Sequence, residues 1–487
     1  MKNSKKILCL ILSSVFLLSA CSSNKGENRI NKADEEVSSS YNKNFTGELE
    51  KNVTIKVVEN DTAISKGYFK ELLDAFNEKY SEYGIKAVDA NIDQNTDLAN
   101  DGPYGYGPDV LYQANDVIMQ YSRAKHILPL PIEEIESIKE TSENAIDAFS
   151  LEVDGNKYHV GVPVNVQSPM LFYREDLLPE DWKTTWDKNS NDIPDMIEDW
   201  NSMYAFSKRR REEGNYGYMQ SLNNVYFSSG FLFSYGAYIF GDNNTNVDKI
   251  GFSEGEAEKG VHVIEQLASQ MNEESIDDTI TTNSYSQLAK GKYFATMSTP
   301  DVYSTFITEL QNVYEEEGLT KEEALEKAKK NLKMVQVPKL PESGDLEEKD
   351  PKLIDMKTMG GISGYAISSY TKAPNACLEF IKFATNYENI KLRNELLGIA
   401  PVRKDLVSKL GLTENEFIKR LENDGIVLMP SIPELSQVWT PMGTFLSDIV
   451  KNTFREDKDK KYKDEKDLKK GLEAVDKQIY DAIHTLN

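Results

Sequence analysis

The residues best spaced to do chemistry run from Asp187 to Glu198. Asp187, Asn189, Asn191 and Asp195 put side-chain oxygens at positions 1, 3, 5 and 9 of a twelve-residue loop, and Glu198 at position 12 can bind through both carboxylate oxygens. The backbone carbonyl of Ile193 supplies position 7. A hard cation takes six to eight oxygen ligands, so this EF-hand spacing predicts a structural Ca2+ as cofactor. Position 6 needs positive φ and is usually glycine. Here it is Asp192, which enters that region at a cost in affinity. The competing reading is a solvated acidic loop.

Catalytic patterns are missing elsewhere. The sequence has no His-Glu-x-x-His helix, no Gly-x-Ser-x-Gly elbow and no Gly-rich phosphate loop. His126, His159, His262 and His484 are scattered, each read as a surface or satisfied structural residue. Of the three cysteines, Cys377 recurs at helical spacing with Phe380, Ile381 and Ala384, which predicts a buried small apolar residue, not a nucleophile.

The amino terminus predicts how the chain is held. Lys2, Lys5 and Lys6 precede an apolar run, Ile7 to Leu18, that fits a secretion signal and is short for a membrane span. Leu18-Ser19-Ala20-Cys21 resembles the lipobox of bacterial lipoproteins, which implies cleavage after residue 20 and lipidation of Cys21. Residues 21–50 are rich in Ser, Asn, Lys and Glu and read as a flexible tether. Three of the 56 basic residues leave with the signal, so 53 face 80 acidic ones, a net charge of −27. Such a surface repels phosphate backbones and excludes nucleic acid as a partner.

The remaining residues exceed what one core usually supports. Val53, Ile55 and Val57 alternate as a strand does, and Phe69, Leu72, Leu73, Phe76 and Tyr80 follow at helical spacing. Further strands are predicted at Pro108–Tyr112, Lys157–Val164 and Pro169–Tyr173. Ser253-Glu254-Gly255-Glu256 has the form of a capping box before a helix carrying Val261, Ile264 and Leu267. The alternation argues an α/β fold with largely parallel sheets.

Specific segments carry a resemblance. Gly107-Pro108-Asp109-Val110-Leu111-Tyr112 with Asn115-Asp116, Gly155-Asn156-Lys157-Tyr158 leading to Val162-Pro163-Val164, and Leu171-Phe172-Tyr173-Arg174-Glu175-Asp176 come in order. Ser221-Leu222-Asn223-Asn224-Val225-Tyr226, Gly360-Gly361-Ile362-Ser363-Gly364 and Met429-Pro430-Ser431-Ile432-Pro433 running to Trp439 follow. Together they resemble the maltose- and maltodextrin-binding proteins, the extracellular solute-binding receptors of ABC sugar importers. The resemblance implies a type II periplasmic-binding-protein-like fold, two α/β lobes closing by a hinge on ligand held between them. It assigns 51–165 and 358–402 to one lobe, and 166–357 and 403–487 to the other, with 187–198 as an insertion. Chain crossings are implied near Pro163–Gln167, Lys357–Gly361 and Ala400–Val402.

By the same resemblance, Gln113, Asn115, Asp116, Gln167, Asn224, Tyr226, Tyr285, Asp301, Tyr303 and Trp439 face the cleft. Sugars present hydroxyl edges and apolar C–H faces, so acceptors, donors and aromatic rings suit them. Gln113 and Asp301 stand where the family has stacking tryptophans, Gln167 and Asn224 where it has glutamates, and Thr440 and Gly443 where it has tyrosine and arginine. The polar edge set survives while the stacking floor thins, which implies a neutral oligosaccharide other than, or besides, maltodextrin. The expected protein is a monomeric, lipid-anchored receptor on the outer face of the cell membrane that hands its ligand to membrane permease subunits. A secreted carbohydrate-active enzyme, or the same fold taking a non-sugar solute, are the rivals.

Overall fold

The computed structural model describes residues 44–485, apart from 93–97, 154, 272–278, 411 and 431. The chain divides into two units, Met1–Lys43 and Asn44–Asn487, and all described residues belong to the second. The secretion signal, Cys21 and the tether up to residue 43 lie outside the described residues.

The strand Thr54–Val58 buries Ile55 and Val57 while Thr54 and Lys56 face out, the alternation that one covered face demands. It pairs in parallel with Lys86–Asp89 and with Val110–Ala114. Val110–Ala114 runs antiparallel to the ten-residue strand Thr358–Ile367. That long strand also pairs antiparallel with Val162–Gln167 and, through Thr358–Gly360, in parallel with Ile426–Leu428. The helix Tyr68–Lys79 lays Phe69, Leu72 and Phe76 onto this sheet's core. Each such side chain contributes about 1.5–3 kcal/mol by leaving water.

A second sheet runs in the order Leu332–Val335, Met170–Arg174, Tyr293–Ser298, Tyr216–Tyr218. Met170–Arg174 is buried along its whole length, as a strand covered on both faces must be. The chain passes from Gln167 in the first sheet to Met170 in the second through Ser168-Pro169. Beside that passage Val166 N–H donates to the Ala400 carbonyl at 3.1 Å and Val402 N–H to the Val164 carbonyl at 3.0 Å.

Three expectations need correction. Both sheets are mixed, because Thr358–Ile367 returns from far along the chain against Val110–Ala114 and Val162–Gln167, and Met170–Arg174 runs antiparallel to both of its own neighbours. Lys157–Val164 is not one strand. Asn156–His159 folds back on Ser150–Val153 around Gly155 (φ +78°), and Val162–Gln167 joins the main sheet after a break at Gly161, where a Cβ would strike the Phe149 ring at 2.5 Å. The helix Ala257–Ser269 does bury Val261, Ile264 and Leu267, but no capping box opens it. The Ser253 N–H is taken by Asp476 Oδ2 at 2.9 Å, and Glu256 N–H by the Tyr235 carbonyl at 2.8 Å. A box of that kind opens Lys321–Asn331 instead, between Thr320 and Glu323.

Cys377 is fully buried on the helix Pro374–Ala384, and burial pushes its thiol far above the ordinary range. As the sequence predicts, it packs as an apolar residue.

Candidate functional site

A cleft of about 790 Å³ brings several of the predicted binding residues together. Two elements build it. The helix Val225–Phe233 is apolar nearly all round and sinks into the core, so its first turn is pinned in place. Asn224 caps that helix, its Oδ1 accepting from Phe227 N–H at 3.4 Å, and Tyr226 projects half-buried with its ring edge-on to Phe227 at 5.3 Å. The helix Trp439–Phe454 buries Met442, Phe445, Leu446, Ile449 and Val450. Its opposite stripe faces the cleft: Trp439, Thr440, Gly443, Thr444, Ser447, Asp448 and Lys451. Met429 completes the wall, and a second cavity of about 470 Å³ on its other side reaches Asn115.

Of the ten predicted binding residues, Asn224, Tyr226 and Trp439 line this cleft. Asp301 is coupled to it: burial, then the Asp301 charge, push the Tyr226 hydroxyl far up, and the same two causes raise Tyr285. Asp301 sits in the turn Pro300–Val302 after the strand Tyr293–Ser298, and its Oδ1 is buried with no hydrogen-bond partner among the described residues. Tyr285 packs edge-on to Phe306 at 4.7 Å, and Tyr303 lies 6.4 Å from the Phe172 ring, its hydroxyl raised by burial. Both aromatics are partly buried and pack against the core.

The four remaining candidates divide. Asp116 lies in the first turn of Asn115–Arg123, and its Oδ1 is buried without a partner among the described residues. Burial raises its carboxyl, outweighing the Val117 and Asp116 N–H groups that pull it down. Asn115 is spent on structure: it is 1% exposed, and its Oδ1 accepts from Ile362 N–H at 3.2 Å, fixing the helix to the long strand. Gln113 is buried within the sheet opposite Gly364. Gln167 ends its strand half-buried, opposite Gly361. None of these four lines the larger cleft.

Sequence reading missed Asn223, Met429, Thr444, Ser447, Asp448 and Lys451. The signal was present as a helical stripe of polar and small residues, stepping by four from Trp439 and from Thr440. Asp448 is held by Arg455 at 3.2 Å and Lys461 at 2.6 Å, which keep its carboxylate below the ordinary range.

The 187–198 loop folds on its own hydrogen bonds. Asp187 accepts from the N–H groups of Asn191 and Asp192 at 3.0 and 3.1 Å, and Asp195 from that of Lys188 at 3.2 Å. The amides of Asn189 and Asn191 donate to Glu198 at 3.1 and 2.8 Å. Asp192 takes φ +64°, the left-handed turn that position 6 requires. The donors fit Ca2+, being hard oxygens only. Among the described residues, however, no group of three or more His, Cys, Asp or Glu side chains is gathered so as to hold a metal ion.

Residues 71–419 match the family described as bacterial extracellular solute-binding protein. The chain belongs to that family. It is similar to the galactooligosaccharide-binding protein of Bacillus subtilis, 27% identical over 81% of this chain and 84% of the relative. It is also similar to a maltodextrin-binding protein of the same organism, 25% identical over 79% of this chain and 82% of the relative. Its fold is that of the maltose-binding periplasmic protein of Listeria monocytogenes solved with maltose, with a TM-score of 0.65 at 21% identity, covering 89% of this chain and 98% of the other. The two-lobed, type II binding-protein architecture is therefore shared. No helix among the described residues is long and apolar enough to cross a membrane.

Proposed function

We propose that this solute-binding protein captures a neutral oligosaccharide for an ABC importer, closing its two lobes on the ligand and presenting the closed form to membrane permease subunits. One observation carries the reading: a single cleft sets the Trp439 indole and Tyr226 ring beside an amide and a row of hydroxyls. That is the pairing of apolar face and polar edge a sugar ring presents. Buried carboxylate oxygens on Asp116 and Asp301, still lacking partners, add acceptors for sugar hydroxyls. The names of the two Bacillus relatives agree with this class.

The lobes comprise 51–165 with 358–402 and 166–357 with 403–487, and closure is limited by how much more tightly ligand binds the closed form. The chain works as a monomer, held at the outer face of the membrane by lipid on Cys21. Its role is binding without catalysis, and calcium in the 187–198 loop is structural. Calorimetric titration with neutral oligosaccharides tests the reading: saturable binding with the sugar recovered intact supports it, and shortened products would make the protein a hydrolase. Radiolabelled palmitate retained by the parent and lost from Cys21→Ser tests the anchor.

A further inference from the structure

We infer that the cleft selects for ligand length, and that the helix Trp439–Phe454 is the ruler. The inference rests on the oligosaccharide reading above and adds which sugars are preferred and which residues decide it. The cleft-lining stripe of this helix runs from Trp439 to Lys451. At the rise of an α-helix that is ~18 Å, longer than a disaccharide.

Two observations point to a ligand along the whole stripe. The first is Gly443. Glycine is the poorest helix former after proline, and interior positions keep it only for a reason. Packing supplies none here: a Cβ at 443 would meet the Asn223 carbonyl at 3.6 Å and Val225 Cγ2 at 3.7 Å, ordinary contact distances. A side chain longer than a methyl would instead bridge the helix to the Asn223–Val225 turn, cutting the cleft in two. Glycine holds the passage open between Trp439 on one side and Ser447 on the other.

The second is the state of the hydroxyls. Buried or half-buried hydroxyls on other helices fold back onto carbonyls one turn earlier: Ser122 on Ile118 at 2.7 Å, Ser207 on Met203 at 2.8 Å, Thr385 on Ile381 at 2.8 Å. Among the described residues, nothing hydrogen-bonds the hydroxyls of Thr440, Thr444 or Ser447. All three line the cleft. Each can donate and accept, as a sugar edge requires. Beyond the one indole, recognition is by hydroxyl pairs strung along the helix, so affinity grows with each ring that reaches further.

The test titrates the mature chain by calorimetry with two ladders, malto-oligosaccharides and β-1,4-galacto-oligosaccharides, each from two to six units. Parent affinity is expected to rise at least tenfold from two units to four on the ladder that binds. Gly443→Gln, a better helix former that keeps or raises the melting temperature, brings the ratio of four-unit to two-unit affinity below twofold. Thr444→Ala with Ser447→Ala removes part of the rise. A flat length dependence in the parent, or a rise that survives Gly443→Gln, overturns the inference and leaves the oligosaccharide reading standing. Absence of binding to both ladders at every length overturns the two together.

Discussion

Two buried polar regions of this molecule are built to opposite rules. Beside the passage between the sheets, Glu59 and Arg393 are both fully buried and joined at 2.7 Å, with the second guanidinium nitrogen 3.2 Å from the other carboxylate oxygen. Tyr365 Oη donates to Glu59, and the Arg393 guanidinium lies over the Tyr112 and Tyr68 rings at 4.0 and 4.9 Å. Asn165 Oδ1 accepts from Arg393 Nε at 2.8 Å, while its amide donates to the Ala400 carbonyl at 3.1 Å. In this knot both charges and the amide that joins them to the connecting strand are satisfied from within the chain. At two positions proposed to meet ligand, by contrast, Asp116 and Asp301 each bury a carboxylate oxygen that nothing among the described residues satisfies. The difference separates structure from function: a closed polar network fixes one conformation, and an open one keeps binding capacity for a guest.

The comparison can be broken most forcefully at the knot. Arg393→Met leaves Glu59 buried without its cation and is expected to cost about 3–5 kcal/mol of stability, read from urea unfolding. A loss below 1 kcal/mol would mean that the pair is not what holds the connecting strands. In the cleft the effect moves to affinity. Trp439→Ala and Tyr226→Ala should each weaken oligosaccharide binding by about 1–3 kcal/mol with little change in melting temperature.

Asp116 sharpens the contrast through pH. A carboxyl whose pKa is raised on folding binds more protons folded than unfolded between its ordinary and its raised value. Stability therefore falls as pH rises through that window, and the penalty persists above it. Asp116→Asn should raise the melting temperature at neutral pH and lose that advantage below the ordinary carboxylate range, while binding sugar more weakly. An equal or lower melting temperature at neutral pH would show that the buried carboxylate carries no penalty. The smallest effect is expected at the 187–198 loop. A chelator should lower the melting temperature by a few degrees, restored by added Ca2+, since the loop's hydrogen bonds already hold it closed.

Sequence made the fold class legible because local signals and global burial agree. Ile55 and Val57 alternate inward, and Phe69, Leu72 and Phe76 share one helix face. Pairing direction was not legible, because Thr358–Ile367 finds its partners across hundreds of residues and no local pattern encodes which way a distant strand runs. At the site, Tyr226 and Trp439 were readable as aromatics in matching segments. Asn115 was not separable from its neighbours, since whether an amide faces ligand or a strand N–H depends on packing. The stripe from Thr444 to Lys451 escaped because polar side chains on an amphipathic helix look like an ordinary solvated face until the opposing wall is known.

The most direct test is a crystal structure of the mature chain with the tightest-binding oligosaccharide of the two ladders. A sugar ring against the Trp439 indole, with ring hydroxyls within hydrogen-bond distance of Asp116 and Asp301, is the predicted result. Ligand held elsewhere on the surface, with both carboxylates still unpartnered, would contradict it.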